Sequence, residues 1–193
     1  MAFTANTAFE ARITNGRFND LANITGKYQS SAADADCDAG HLCVAVSLLD
    51  CEGFSSVKNE NAWLMNDAVD TTTFDTPIYA CNSYATPLAP VKTNLYEVGN
   101  EFLGLGVPAG RYGTFTRIYF DGESSYRFGV GNLSTTLSTN GFATIDDGQL
   151  VPAASAPATA GTPYFIVKGT GKFVEGTSES FGYVDVIATK VSA

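Results

Sequence analysis

The residues with the most chemistry to offer surround the only histidine of the chain, His41. Three of the four cysteines, Cys37, Cys43 and Cys51, lie within ten positions of it, and Cys81 follows later. Thiolates and imidazole are good zinc ligands, but structural zinc sites usually place cysteines in Cys-x-x-Cys knuckles, and the sequence has none. The spacing therefore favours buried, reduced thiols. A disulfide formed outside the cell is the alternative that the sequence leaves open.

Three aspartates at alternate positions, Asp34, Asp36 and Asp38, resemble the start of a calcium-binding loop. Such a loop needs a glycine at its sixth position for a sharp turn and a bidentate acid at its twelfth. Those positions hold Ala39 and Ala45, so neither requirement is met. We interpret the segment as a solvated acidic turn that leads into a strand, and the sequence alone leaves ion binding there open.

Other motifs that bind cofactors or cleave substrates fail at identifiable positions. In the glycine-rich segment 104–110, Pro108 and the glycine spacing break the dinucleotide-binding pattern. No serine stands in a Gly-x-Ser-x-Gly motif, and His41 is the only imidazole for a catalytic triad. Asp146 and Asp147 precede a glycine, which is typical of a turn. We predict no catalytic, cofactor-binding or metal-binding residue, and no enzymatic activity.

The composition describes an acidic chain of low charge density. Its 11 Lys and Arg stand against 20 Asp and Glu, so the net charge is −9, yet only 16% of the 193 residues are charged. A general nucleic-acid binder needs a basic surface that releases counterions from phosphate, and a polybasic membrane-surface protein needs the same sign of charge. We therefore expect no nucleic-acid partner and no membrane partner.

The beginning of the sequence lacks the basic and apolar stretches of a secretory signal, and no run approaches 18 apolar residues. We therefore expect synthesis in a host cytoplasm without a signal peptide. A protein of this kind that acts outside the cell would leave by another route, such as release from a lysed host.

The residue types favour strands joined by turns, because Phe, Tyr and Thr suit a pleated surface and Gly suits turns. The segment 59–69 fits either a short helix or a strand with Trp63 pointing inward. The segment 181–191 is apolar on both faces, as a central strand would be. We predict strands at 41–49, 77–84, 164–168 and 181–191.

The clearest local signal runs from Gly113 to Val130. Thr114–Phe120 and Ser125–Val130 each alternate between two faces, and Asp121–Glu123 supplies a turn between them. This pattern predicts a β-hairpin.

Residues 1–20 alternate Thr, Asn and Ala with single Phe and Arg residues, which is typical of an extended arm. Residues 21–193 are predicted to form a single β-rich domain, in which 19–35 permits a short helix. The proline-bearing segment 152–163 is an extended loop or a linker between two lobes. The predicted fold class is all-β, an antiparallel sandwich or barrel, with an extended N-terminal arm and at most short helices.

Several stretches of the sequence resemble small structural proteins of tailed bacteriophages. They are MAFTANTAFEARITNGRFNDLANITG at the start, YEVGNEFLGLGVPAGRYGTFTRIYF with YRFGVGN in the middle, and LVPAASAPATAGTPYFIVKGTG near the end. The resemblance implies a virion component on the capsid surface, an auxiliary capsid protein of the head decoration or cementing type. The implied partners are the major capsid protein and further copies of the chain, as a homotrimer. The resemblance supplies no catalytic residues.

Alternative functions stay open at this stage. A head-fibre or tail-associated binding module would recognise a host-surface glycan or protein through aromatic residues such as Tyr84, Tyr96 and Tyr112. A polysaccharide hydrolase is a weaker alternative because no pair of acidic residues stands out as a catalytic pair. A shell-forming coat protein is also a weaker alternative because the chain is short and lacks long helices. In the decoration-protein interpretation, residues 1–20 clamp a neighbour by adding a strand to its sheet edge.

Overall fold

The computed structural model is built from β-strands, and no helix of seven or more residues occurs in the part of the chain that it describes. This confirms the predicted all-β class. No described helix is long and apolar enough to cross a membrane. The structure describes residues 4, 7–12, 23–49, 62–69, 76–82, 106–135, 141–172 and 182–192.

Fourteen strands follow one another along the described residues. They are β1 (Phe9–Arg12), β2 (Asn23–Ser30), β3 (Ala33–Asp34), β4 (Cys37–Asp38), β5 (Leu42–Leu48), β6 (Ala62–Asp67), β7 (Ile78–Cys81), β8 (Gly106–Val107), β9 (Tyr112–Arg117), β10 (Ser125–Gly129), β11 (Phe142–Asp146), β12 (Gln149–Ala153), β13 (Pro163–Lys172) and β14 (Gly182–Lys190).

Six of these strands form an open antiparallel sheet in the order β1-β10-β14-β13-β11-β12. The side chains on one face of this sheet are buried, because the strands alternate apolar residues with polar or half-exposed ones. This inner face forms the larger core of the molecule. Its fully buried members from the sheet are Phe9, Tyr126, Phe128, Ala143, Ile145, Leu150, Phe165, Val184, Val186 and Ala188.

Five other strands close into a small barrel in the order β2-β6-β5-β7-β9, because β9 also pairs with β2. The pair β2–β6 is parallel and the other pairs are antiparallel. The short strands β4 and β8 form a separate pair. A second core fills the barrel and contains the buried side chains of Tyr28, Cys37, Cys43, Met65, Cys81, Val107 and Phe115.

The first half of β5 and strand β7 in the barrel wall are buried on both faces, whereas β5 ends in exposed residues. Leu42 and Ala80 face the open sheet and belong to the larger core, whereas Cys43 and Cys81 face the barrel interior. The two strands pair directly, with Leu42 opposite Ala80. The barrel and the open sheet are therefore joined through strands that contribute to both cores at once.

Most of the predicted strands are confirmed. The segments 41–49, 77–84 and 181–191 contain β5, β7 and β14, and β14 is central in its sheet as predicted. The segment 164–168 lies within the longer strand β13, which continues to Lys172. Within 59–69, the described residues form strand β6, with Trp63 packed against the barrel core.

The short helix permitted over 19–35 is wrong for the described part of that segment, which forms strands β2 and β3. Ser31 and Ala32 join these strands as a tight turn with φ of 52° and 66°. Pairing of β2 on both sides within the barrel outweighs the weak helical tendency of its sequence.

The hairpin predicted over 113–130 is also wrong, although both strands exist. Strand β9 pairs with β2 and β7 in the barrel, whereas β10 pairs with β1 and β14 in the open sheet. The connection between them crosses from the barrel to the open sheet. The N–H of Ile118 still donates to the Ile78 carbonyl in the barrel, whereas the N–H of Tyr119 donates to the Tyr126 hydroxyl of the open sheet. Alternation indicates which face a strand buries but not which strand is its partner.

The proline-bearing segment 152–163 connects strands β12 and β13, which lie in the same sheet. Pro163 begins β13 and Pro152 lies in β12, so the residues between the two strands form a surface loop. The described residues of this segment are half-exposed or exposed, which is typical of a loop.

The described part of the predicted N-terminal arm is extended, and it is built into this chain's own sheet. Thr7, Ala8 and Phe9 are buried, and β1 pairs with β10 as an edge strand. The Phe9 ring packs against Tyr126 and Phe128 at centroid distances of 6.0 and 5.3 Å. Thus residues 7–12 belong to the body of the protein rather than to a free arm.

We predict that Phe9→Ala lowers the free energy of unfolding by about 3–5 kcal/mol, because it leaves a cavity between two aromatic rings. Arg12→Ala, at an exposed side chain of the same strand, should change it by no more than about 0.5 kcal/mol. Urea denaturation followed by the fluorescence of Trp63, which packs against the other core, measures both values. Equal stabilities of the two variants would contradict a structural role for β1.

Candidate functional site

The only histidine lies in a polar cluster at the end of the barrel that faces the open sheet. Tyr28 is near the end of β2, Asp67 ends β6, and His41 directly precedes β5. The parallel pairing of β2 with β6 places Tyr28 opposite Met65, and the antiparallel pairing of β5 with β6 places Cys43 opposite Asp67. Strand register therefore brings three residues together that are far apart in sequence.

The Asp67 carboxylate is the centre of this cluster. Its Oδ1 atom lies 2.6 Å from Nε2 of His41 and also accepts a short hydrogen bond from the Tyr28 hydroxyl. The Tyr28 hydroxyl and His41 Nε2 are 3.3 Å apart, and the two rings meet edge to face. The side chains of His41 and Asp67 are only 16% and 18% exposed, so these contacts are largely shielded from water.

The electrostatics of the cluster favour an ionised Asp67 and a neutral Tyr28. Burial alone would raise the pKa of the Asp67 carboxyl, but hydrogen bonds from His41 and Tyr28 outweigh burial and hold this pKa below its usual value. Burial, and then the hydrogen bond to Asp67, raise the pKa of the Tyr28 hydroxyl well above its usual value. Tyr28 therefore serves as a hydrogen-bond donor and not as a phenolate.

The open sheet contacts this cluster through a glycine. Asp147 and Gly148 form the two-residue turn between β11 and β12, both with positive φ. A Cβ atom on Gly148 would lie 2.1 Å from Nε2 of His41, so only glycine permits this approach. The Gly148 carbonyl accepts from Leu42 N–H, and its own N–H donates to Ala68. The predicted turn at 146–148 is confirmed, and it also fastens the sheet to the barrel.

Three thiols lie in the barrel core beside the polar cluster. Cys37, Cys43 and Cys81 are free and at most 1% exposed, and the Sγ atoms of Cys37 and Cys43 are 4.0 Å apart. Burial raises the pKa of both the Cys37 and the Cys43 thiol. The prediction of buried, reduced thiols is confirmed for these three residues, whereas Cys51 lies outside the described residues.

Among the described members of the zinc-like set, Cys37, His41 and Cys43 do not form a metal site. Nε2 of His41 contacts Asp67 and Tyr28. Within the described ranges, no group of three His, Cys, Asp or Glu side chains has the geometry to hold a metal ion.

The three alternating aspartates form hydrogen bonds with different partners. Asp34 pairs with Lys27 and accepts from Gln29, Asp36 accepts from the N–H of Ala109 at 2.8 Å, and Asp38 accepts from the N–H of Thr4 at 2.9 Å. These contacts fasten neighbouring segments to the acidic turn. The carboxylates thus act as separate hydrogen-bond acceptors.

The other sequence candidates are accounted for by structure. In the described part of 104–110, Gly106 and Val107 form β8, and the N–H of Arg111 donates to Pro108 in a turn. A Cβ atom on Gly106 would lie 1.7 Å from the Cys37 carbonyl oxygen, so the glycine permits close backbone approach. Of the aromatic residues considered for glycan contact, Tyr112 is half-exposed, and the other two lie outside the described residues.

His41 stands out in the sequence as its only histidine, whereas no sequence pattern marks Tyr28 or Asp67 as members of the cluster. Asp67 belongs to a segment that fitted a helix or a strand, and only the strand register places it beside the histidine. The chain matches no known protein family, no curated protein and no solved structure.

The cluster is suited to hold strands together. Its hydroxyl and imidazole both face one carboxylate, and the pKa values of Tyr28, Cys37 and Cys43 are all raised, so none of these groups is activated as a nucleophile. Hydrogen bonds to a charged acceptor contribute about 1.5–3 kcal/mol each, so the three-residue cluster is a strong fastening between β2, β5 and β6.

We predict that Asp67 makes folding sensitive to acid. Because its pKa is lower in the folded protein than in the unfolded chain, its contribution is complete above about pH 4 and is lost as the pH falls through the folded-state value. Urea denaturation of wild type, Asp67→Asn and the exposed-site control Asp146→Asn at pH 7, 4 and 3 tests this. Asp67→Asn should be less stable than wild type at pH 7, and its free energy of unfolding should fall less than that of wild type between pH 7 and pH 3. Equal losses in wild type and Asp67→Asn would refute the prediction.

We predict that the three described thiols do not react with the disulfide reagent DTNB in the native protein. All three are buried, burial raises the pKa of the Cys37 and Cys43 thiols, and the thiolate is the reactive form. The measurement uses a Cys51→Ser background, with guanidinium-unfolded protein as the positive control. Rapid native labelling of any of the three would show that the barrel core opens.

Proposed function

We propose that this chain is a structural component of a tailed-bacteriophage virion, an auxiliary capsid protein that binds the outer capsid surface. In this role it stabilises the shell through contacts between subunits, with the major capsid protein and other copies of the chain, as a homotrimer, for partners. The observation that carries the proposal is that β1 is anchored at an edge of the open sheet. The residues that precede β1 therefore leave the protein from a fixed position, from which they can contact a neighbouring subunit.

The fastening is made by side chains and backbone together. Phe9 is buried against two rings, and the N–H of Ala8 donates to Oδ1 of Asn132, whose Nδ2 donates to the Ala39 carbonyl. Thr4 is exposed, and its N–H donates to Asp38. A force on the residues that precede Thr7 is thereby transmitted into both layers of the fold, as a protein that resists expansion of a shell requires.

The polar interactions of the described residues also support a structural role. In the cluster around Asp67, the polar side chains bind one another. In the open sheet, a row of ion pairs between Glu10, Arg127 and Asp185 crosses three adjacent strands. Arg127 binds Asp185 through two hydrogen bonds and lies over the Tyr183 ring. These groups are used to rigidify the sheet. The net charge of −9 keeps such a protein away from DNA and soluble on a particle surface.

The buried position of Phe9 determines how the proposal is tested. Deletion of all of residues 1–20, which the sequence alone suggests, would also remove Phe9 from the core and unfold part of the sheet. Deletion of residues 2–6 leaves β1 intact. We predict that this shorter deletion lowers occupancy on purified heads by at least about tenfold, since the lost contacts need contribute only about 1.4 kcal/mol.

Heads that lack this chain are mixed with full-length protein or with the deletion variant, and bound copies are counted by electron cryomicroscopy. A variant with residues 2–6 replaced by Gly and Ser keeps the length and serves as the matched control for sequence. The free energy of unfolding of the deletion variant, followed by Trp63 fluorescence, should fall by no more than about 1–3 kcal/mol, because the deletion removes the hydrogen bonds that Thr4 makes with Asp38 and Thr7. Full occupancy by the deletion variant would refute the role of the arm, and a few copies at a single vertex would favour the fibre or tail alternative.

A further inference from the structure

A cleft of about 550 Å³ lies beside the end of strand β14. It separates the turn after Phe120 from the last residues of the strand, and the loop before β13 borders it on the other side. Its lining residues are Phe120, Asp121, Ala160, Gly161, Thr189, Lys190, Val191 and Ser192. The volume falls within the range of about 300–1,000 Å³ that is usual for ligand sites.

The strand register shows where the backbone of Lys190 points. Lys190 is opposite Pro163, and the N–H of the next residue, Val191, donates to the Thr162 carbonyl at 3.1 Å. In an antiparallel pair this pattern marks Lys190 and Pro163 as a non-hydrogen-bonded pair. The N–H and C=O of Lys190 are therefore directed away from β13, toward the side on which Phe120 and Asp121 lie.

Two residues earlier, the same side of β14 is occupied. The N–H of Ala188 donates to the Ser124 carbonyl at 3.1 Å, and the Ala188 carbonyl accepts from Gly122 at 3.0 Å. Before Gly122 the chain no longer runs beside β14, so no strand lies next to β14 at Lys190. Within the described residues, the backbone donor and acceptor of Lys190 have no hydrogen-bond partner on that side.

The side chains add charge and an apolar wall. Lys190 is exposed, and no described carboxylate forms an ion pair with its ammonium group. Phe120 is half-buried and its ring packs on Phe165 at 5.3 Å, so it forms a fixed wall. Asp121 accepts hydrogen bonds from Glu123 and Ser124, which fixes its carboxylate in the turn.

We propose that this cleft binds an extended peptide segment of another protein, which adds to β14 as a short strand and places an acidic side chain near Lys190. An exposed donor and acceptor at a strand edge are complementary to another backbone, which is the basis of recognition by strand addition. The positive charge of Lys190, in a chain of net charge −9, favours an acidic side chain on the partner. The inference stands independently of the proposed capsid role.

The probe is the peptide acetyl-Thr-Val-Glu-Val-Thr-amide, with the Lys-containing peptide acetyl-Thr-Val-Lys-Val-Thr-amide as its partner of opposite charge. A contact limited to one strand end implies a dissociation constant on the order of 1 mM. Titration into ¹⁵N-labelled full-length protein should shift the amide signals of Lys190, Gly122 and Ser192. Absence of shifts at Lys190 with peptide well above that concentration would overturn the proposal.

Four variants separate the contributions of backbone and charge. Lys190→Glu should reverse the preference between the two peptides, by about threefold to fivefold in each direction, as expected for an exposed charge pair. Lys190→Gln removes the charge and keeps the N–H that faces the cleft, whereas Lys190→Pro removes both and leaves every β13–β14 hydrogen bond in place. Lys190→Pro should therefore bind both peptides about fivefold more weakly than Lys190→Gln does. Lys168→Glu, at an exposed lysine of β13 that does not line the cleft, should change neither affinity.

Two further outcomes would also overturn the proposal. If Lys168→Glu alters peptide preference as much as Lys190→Glu does, the peptides respond only to net charge. If the Lys190 signal shifts with protein concentration and no peptide present, a second copy of the chain occupies the cleft instead.

Discussion

The structure depends on two barrel segments that are buried on both faces, the first half of β5 and strand β7. Alternate residues of β5 and β7 enter different cores, so each of these strands must satisfy two sets of neighbours at once. Protein interiors are as densely packed as crystals of small organic molecules, so adding or removing one methylene group in these strands disturbs the packing of a core. This double burial explains why small side chains such as Ala80, Cys43 and Cys81 stand where the strands meet.

The polar cluster follows from the same constraint. Both faces of β5 are buried where the strand begins, so the polar side chain of His41 stands just before it. Asp67 ends the neighbouring strand β6, and the turn of β11 and β12 closes over the barrel beside both residues. A carboxylate at this depth is tolerated because it receives two hydrogen bonds. The barrel, the cluster and the sheet are thereby parts of one packing arrangement.

Sequence patterns predicted the strands better than their partners. The strand predicted at 77–84 is confirmed as β7, in which Ile78 and Ala80 face one core and Tyr79 and Cys81 face the other, because side-chain period depends only on local backbone geometry. The hairpin over 113–130 was wrong because its two strands belong to different sheets: β9 buries Phe115 in the barrel core, whereas β10 buries Tyr126 and Phe128 in the larger core. That arrangement is set by closure of the barrel through β2 and β9, which no local pattern encodes.

The candidate site was predictable only in part, for the same reason. A single histidine in 193 residues is conspicuous, and the turn at Asp147–Gly148 is a local signal. The contact of His41 with Asp67, however, joins residues 26 positions apart and depends on the register of β5 against β6. A shift of that register by one residue would turn Asp67 to the other face.

The edges of the open sheet show how such a fold avoids unspecific pairing. In β12, Pro152 carries no N–H, and the Leu150 carbonyl already accepts from Ser134. At the opposite edge, β1 presents the charged side chains of Glu10 and Arg12. Both devices discourage addition of a foreign strand. An open backbone position at Lys190 is recessed in a cleft, where a partner must match side chains as well as backbone, and this favours selective contacts over aggregation.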